Sequence, residues 1–288
     1  YRNTFTCTKR YMLQNVDGTF PSSYTPDGSE TTRYGASCSY SKTVTNYKGS
    51  SSGANGSAGN TSASNISSDQ TLSISMYRNT FTCTKRYRLQ NADGTFPSSY
   101  TGDGSVTALY GGSCSYAKTV TDYKSSSGAN GSQVSTSASN VTSNQTLSLD
   151  FYRNTYTLTV NAGTNTSGAS GGGTKRWGQA STVSVTKAAN VTCTSYGTPT
   201  WTQSGTAGTF SSTSGASVTF TMGKGNATVT ASSAASNVAQ TVTLSRGTGA
   251  ASIVIGGTGY TASSVALNCG TYSISGTYSA GYEFTSWA

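Results

Sequence analysis

Near its start the chain alternates. Phe5, Cys7, Tyr11 and Leu13 share one parity, and Thr4, Thr6, Thr8, Arg10 and Met12 share the other. A two-residue alternation predicts a strand with one face buried. The pattern returns as Phe81, Cys83, Tyr87 and Leu89, with Arg88 in place of Met12, a change that a solvent-facing position allows. Leu72, Ile74 and Met76, matched by Leu147, Leu149 and Phe151, predict a closing strand that buries even positions. Parity therefore switches across Tyr77-Arg78-Asn79, which reads as a hinge between modules. A strand pair is expected around Cys38 to Val44. The Ser-, Gly- and Asn-rich run from Ser50 to Ser64, with its counterpart Ser125 to Ser139, is expected to be a long exposed loop. Asp17-Gly18, Asp27-Gly28, Asp93-Gly94 and Asp103-Gly104 are expected to be tight turns.

The hexapeptide Tyr1-Arg2-Asn3-Thr4-Phe5-Thr6 recurs at Tyr77 to Thr82 and, with one change, at Tyr152 to Thr157, a period of about 75 residues. Such a period marks an array of modules. In the third module Tyr156 to Val160 and Thr182 to Thr186 predict strands on either side of a glycine-rich stretch, Gly168 to Gly173. Val218 to Met222 and Ala227 to Ala231 predict a closing hairpin, Ser232 to Ala239 a linker, and Thr241 to Leu244 the start of a fourth unit. The expected domains are residues 1–78, 79–153, 154–237 and a truncated 238–288. The expected fold is mainly β with little helix: an elongated tandem array of small β-grasp-like or Ig-like modules. Because the chain opens inside a repeat, it is expected to be an excerpt whose export signal and anchor lie elsewhere.

Only 33% of the 288 residues are hydrophobic and 9% are charged, but 19 Tyr, 8 Phe and 3 Trp supply the anchors that disordered segments lack. Thr, Tyr and Val favour strands, and Gly, Asn and Ser favour turns. The net charge of +9 suits polyanionic partners. The cations are spread thinly, in no run longer than pairs such as Lys9-Arg10, so no specific nucleic-acid site is expected. No stretch approaches the length of a membrane span.

Cys7 and Cys38 are separated by the same 31 residues as Cys83 and Cys114, which suggests one disulfide per module and an oxidising compartment. The alternative is a buried free thiol, since Leu158 holds the equivalent position in the third module. Cys193 and Cys269 fall in different modules; they bridge them, stay free, or pair outside the chain. With no His and no Cys-x-x-Cys, neither a metal site nor a cofactor is expected.

Residues 1 to about 152 resemble the mucin-binding-protein (MucBP) type repeats of bacterial surface adhesins. The resemblance is carried by the aromatic first strand running into Asp17-Gly18-Thr19, by Tyr34 to Tyr40, and by Asp69-Gln70-Thr71-Leu72-Ser73-Ile74. The usual family strand is richer in Val and acidic residues. The later modules resemble divergent internalin-type B repeats through Thr155 to Val160, Thr200-Trp201-Thr202, Val218 to Thr230 and Ala280-Gly-Tyr-Glu-Phe-Thr-Ser-Trp287. Both resemblances imply small β-rich folds strung along cell-surface proteins.

Catalysis is not expected. Without His there is no Ser-His-Asp or Cys-His arrangement, and Glu30 becomes Val106 in the second copy, which weakens any carboxylate pair. Lys9 and Lys85 lie on the core parity and are candidates for an internal isopeptide bond; otherwise their stems cover the core and their amines reach water. Tyr24, Tyr34, Tyr40 and Tyr47 recur as Tyr100, Tyr110, Tyr116 and Tyr123, either as core rings or as sugar-stacking surfaces. The sequence therefore points to an extracellular, non-enzymatic adhesion or stalk segment. Its expected partners are glycans or anionic cell-surface polymers and neighbouring repeats of the same chain. The alternatives are a bacteriophage virion fibre and a discrete carbohydrate-binding module.

Overall fold

A computed structural model describes residues 2–205 and 208–287. The chain divides into two compact units, Tyr1–Asn154 and Thr155–Ala288. Among the described residues every regular element is a strand, which makes the protein a mainly β chain built of several small sheets.

The first unit holds two copies of one motif. In the first copy the strands are β1 (Thr4–Leu13), β2 (Thr25–Arg33), β3 (Cys38–Lys42), β4 (Tyr47–Lys48), β5 (Gly59–Ala63) and β6 (Gln70–Arg78). The sheet order is β2-β1-β6-β4, with β1 and β6 parallel at its centre. Lys9 lies beside Leu72, Tyr11 beside Ile74 and Leu13 beside Met76. That register puts odd positions of β1 and even positions of β6 on one face. The switch of parity read from the sequence is its direct consequence.

On the buried face Cys7, Leu72, Ile74 and Met76 meet Cys38, Tyr40 and Ile66. The residues β3 and β5 form a two-stranded ladder that contributes to this core. Burying each large aliphatic side chain contributes roughly 1.5–3 kcal/mol, so a core this small gains from a covalent staple. The Cys7–Cys38 disulfide provides it, tying β1 to β3.

The second copy repeats the plan with β7 (Thr80–Leu89), β8 (Thr101–Leu109), β9 (Cys114–Lys118), β10 (Tyr123–Lys124), β11 (Val134–Ala138) and β12 (Gln145–Arg153). Its sheet order is β10-β12-β7-β8, and Cys83–Cys114 is its disulfide.

Two expectations are corrected in both copies. The run Ser50 to Ser64 is not one exposed loop, because Gly59–Ala63 pairs along its length with Cys38–Lys42. Its small residues reflect close packing: a Cβ on Gly59 would sit 2.5 Å from Ile74 Cγ2. Asp27-Gly28 is not a turn either. It lies within β2, where the register with β1 slips between Thr8 and Arg10 and Gly28 has φ +91°. This is a β-bulge, which glycine permits and which re-aims the neighbouring side chain. Asp103-Gly104 repeats it in β8, with Gly104 at φ +79°.

The second unit opens with two four-stranded sheets. One orders Gly173–Arg176, Thr155–Ala162, Ala227–Ser232 and Thr200–Gly205, with the first and last strands of the module again parallel neighbours. The other orders Thr166–Ser170, Ala180–Lys187, Ser217–Thr221 and Thr209–Phe210. Leu158, Val183, Trp201, Phe220, Met222 and Val229 belong to one core cluster. The expected closing hairpin is absent: Ser217–Thr221 and Ala227–Ser232 belong to different sheets, each paired with other strands. Both strands bury alternate residues, and each does so in its own sheet.

The expected linker from Ser232 to Ala239 is also pinned. Ser233 is 2% exposed and its hydroxyl donates to Gly197 O, while Ala235–Asn237 pairs with Thr194–Tyr196. Beyond it, Gln240–Thr243 pairs with Ser264–Leu267, and Ala250–Ile255 lies between Thr258–Tyr260 and Ile274–Tyr278. Cys193 and Cys269 are bonded, so of the three alternatives open in the sequence the bridge between modules is the one formed.

Candidate ligand-binding face

The bulge in β2 aims Asp27 at the β3–β5 ladder. Tyr40 Oη donates to Asp27 Oδ2 at 2.7 Å, and Lys42 Nζ lies 2.9 Å from both carboxylate oxygens. The same amine stands 4.3 Å from the centroid of the Tyr11 ring. The second copy matches it with Tyr116, Lys118, Asp103 and Tyr87. The Tyr hydroxyl and then the Lys ammonium hold Asp27 and Asp103 below the usual carboxylate range. Burial, followed by the carboxylate hydrogen bond, pushes the Tyr40 and Tyr116 phenols up. These groups satisfy one another, and the network clasps β2 and β8 to the ladder of each copy.

The opposite face of each sheet is different. There Arg10 Nε donates to Ser73 Oγ at 2.7 Å, and its guanidinium lies 4.3 Å from the Tyr24 ring centroid. Arg86 repeats both contacts with Ser148, at 2.8 Å, and Tyr100, at 4.3 Å. Phe20 packs edge-on against Tyr77, as Phe96 does against Tyr152, at 5.1 Å in both copies. The copies diverge one step along the strand. Met12 and Ser75 become Arg88 and Asp150, which form a two-pronged ion pair at 2.8 and 2.9 Å. Arg88 and then the Tyr100 hydroxyl hold Asp150 low, against the opposing effect of its partial burial.

The Tyr77 to Thr80 occurrence of the recurring segment is bonded to both copies of the first unit. Arg78 Nε donates to Gln14 O at 3.0 Å, and its Nη1 donates to Tyr110 O in the next copy at 2.9 Å. Asn79 Oδ1 accepts from Gly56 N, and Asn79 O accepts from Tyr110 N. Asn55 exchanges two hydrogen bonds with the Thr80 backbone, and the buried Lys48 reaches Thr80 Oγ1 at 3.1 Å. At the end of the second copy Arg153 Nε and Gln90 O, at 2.9 Å, repeat the staple, and Asn154 Oδ1 accepts from Gly131 N. At the Tyr77 to Thr80 joint Arg78, Asn79 and Thr80 thus each make a side-chain contact. The sequence showed the recurrence but not these partners.

Lys9 and Lys85 diverge. Lys9 Nζ pairs with Glu30 Oε2 at 2.9 Å, whereas Lys85, whose copy carries Val106 in place of Glu30, places its amine 5.8 Å from the Tyr116 ring centroid. Both amines thus have partners other than an Asn or Asp side chain. Glu30 also comes within 4.8 Å of Cys7 and Cys38 Sγ, but those sulfurs are bonded to each other and offer no thiolate to a metal. Among the recurrent tyrosines, Tyr40, Tyr116 and Tyr123 are core residues, Tyr34 is 54% exposed, and Tyr24 and Tyr100 lie half-buried beneath arginines. Asn65 and Asn140, which begin Asn-x-Ser/Thr triplets, take φ +54° and +50° ahead of the buried Ile66 and Val141. A turn requirement accounts for their recurrence. No protein-family model matches this chain, and no curated protein matches it.

Proposed function

We propose that the chain is a non-enzymatic segment of an extracellular surface protein, a stalk that also presents repeated weak binding faces to glycans. The observation that carries this reading is duplication: the arginine-on-tyrosine face recurs with the same partners in both copies of the first unit. Weak contacts repeated along one chain gain strength by avidity. Three disulfides fit an oxidising compartment. The resemblance of the first two modules to mucin-binding repeats, and of the later ones to internalin-type B repeats, points the same way. The acids that could serve chemistry are engaged elsewhere: Asp27 and Asp103 with Tyr and Lys, Asp150 with Arg88, and Asp17 with Thr19.

The test is a glycan array probed with the full chain, first as monomer and then clustered on beads. The expected result is weak monomer binding that rises at least tenfold on clustering. Absence of binding in the clustered form would overturn the adhesive half of the reading.

A further inference from the structure

Several arginines spend their guanidinium donors on the protein. Arg88 is committed to Asp150, and Arg78 and Arg153 to backbone carbonyls. Arg10 and Arg86 are different. Each is exposed, each has its Nε anchored by a serine hydroxyl, and each holds its guanidinium carbon 4.3 Å from a tyrosine ring centroid. Among the described residues neither has a carboxylate partner, and neither uses its Nη groups on the protein.

An exposed arginine is ordinarily a flexible chain that loses rotamer freedom on binding. The serine and the tyrosine restrain this one beforehand, and they leave its outer edge open. A guanidinium edge matches the two oxygens of a carboxylate or sulfate, and such paired hydrogen bonds are about twice as strong as neutral ones. The Tyr24 ring and the Ser73 hydroxyl, both in contact with the same guanidinium, add the mixture of apolar ring and hydroxyl that suits a sugar. The geometry survives the change of neighbours from Met12 and Ser75 to Arg88 and Asp150.

We infer that Arg10 and Arg86, each set between its serine and its tyrosine, are the oxyanion-gripping residues of two copies of a site for an acidic polysaccharide, bearing uronate carboxylates or sulfate esters. This rests on the adhesive reading above and narrows it to a ligand class. Nucleic acid is disfavoured because the cations are thinly spread, whereas phosphate backbones are gripped by many at once.

The experiment uses the full chain with its disulfides intact, clustered on a sensor, against hyaluronan, chondroitin sulfate, neutral dextran and single-stranded poly-dT. Binding is expected to hyaluronan or chondroitin sulfate, which separates carboxylate from sulfate, and to fall with added salt. The R10K/R86K variant keeps the charge and loses the fork. It is expected to bind about fivefold more weakly per site and roughly 20-fold more weakly with both sites engaged. S73A/S148A, which frees the arginines without removing them, is expected to lose several-fold, and R33K, an exposed arginine elsewhere, to change by less than about twofold.

Unfolding temperatures of the variants within a few degrees of the parent would establish that the fold is intact. Undiminished binding by R10K/R86K, or an equal loss in R33K, would overturn the inference by showing diffuse charge attraction. Equal or tighter binding to poly-dT would overturn the choice of polysaccharide. Binding to neutral glycans alone would sink this inference and leave the adhesive reading standing, whereas no glycan binding at all would sink both.

Discussion

The first module's disulfide should supply much of that module's stability. Cys7 and Cys38 are 31 residues apart, 0% and 3% exposed, and joined between β1 and β3. For a loop of that length the chain-entropy treatment removes about 12 cal/mol/K from the unfolded ensemble, or about 3.7 kcal/mol at 25 °C. Small domains have only about 5–15 kcal/mol to lose. In a module of this size each kcal/mol is worth about 4–8 °C, so the C7A/C38A double variant should melt at least about 15 °C lower in that module. Differential scanning calorimetry on the full chain reads this directly, because the second copy keeps Cys83–Cys114 as an internal reference. The variant should show a separate early transition absent from the parent. A shift under about 5 °C would refute the loop-entropy argument and assign the stability to packing of Tyr40, Ile74 and Met76 instead.

Four further outcomes are expected. Because the carboxyls of Asp27 and Asp103 are held below their unfolded values, their stabilising contribution is present above the unfolded carboxylate pKa and is lost as pH falls through the folded one. Urea midpoints from pH 6 to pH 2 should therefore fall less steeply for D27N/D103N than for the parent, and parallel curves would contradict the assignment. Tyr40 and Tyr116 are raised, so their contribution is complete below the unfolded phenol pKa, near pH 10, and is lost above it; Y40F/Y116F should flatten the alkaline decline in the same assay. At the joint, R78K removes the guanidinium's two carbonyl contacts and should cost about 1–3 kcal/mol, with faster hydrogen exchange at the Asn79, Thr80 and Tyr110 amides. Unchanged exchange there would show that the bridge does not stiffen the joint. Intact-mass measurement under denaturing conditions should register a gain of two hydrogens per bond on reduction at all three disulfides, and a deficit of one ammonia would reveal an isopeptide at Lys9 or Lys85.

The sequence by itself determined the class of fold, the repeat and the buried faces, because alternation is a local property of a strand and repetition exposes it twice. Phe5, Cys7, Tyr11 and Leu13 could be assigned one side without knowing any partner. Pairing depends on which strands meet, and that only the tertiary structure decided. Asp27-Gly28 has the local chemistry of a turn, yet it became a bulge because β1 continues opposite it and needs partners on both sides of the slip. Gly59–Ala63 has the composition of a loop but is a strand, since only a small residue fits against Ile74. Val218 to Ala231 has the pattern of a hairpin, but its two strands went to different sheets. The candidate face has the same origin. Arg10, Tyr24 and Ser73 are distant in sequence and unremarkable singly, and they meet because β1 lies between β6, parallel on one side, and β2, antiparallel on the other and beginning just after Tyr24.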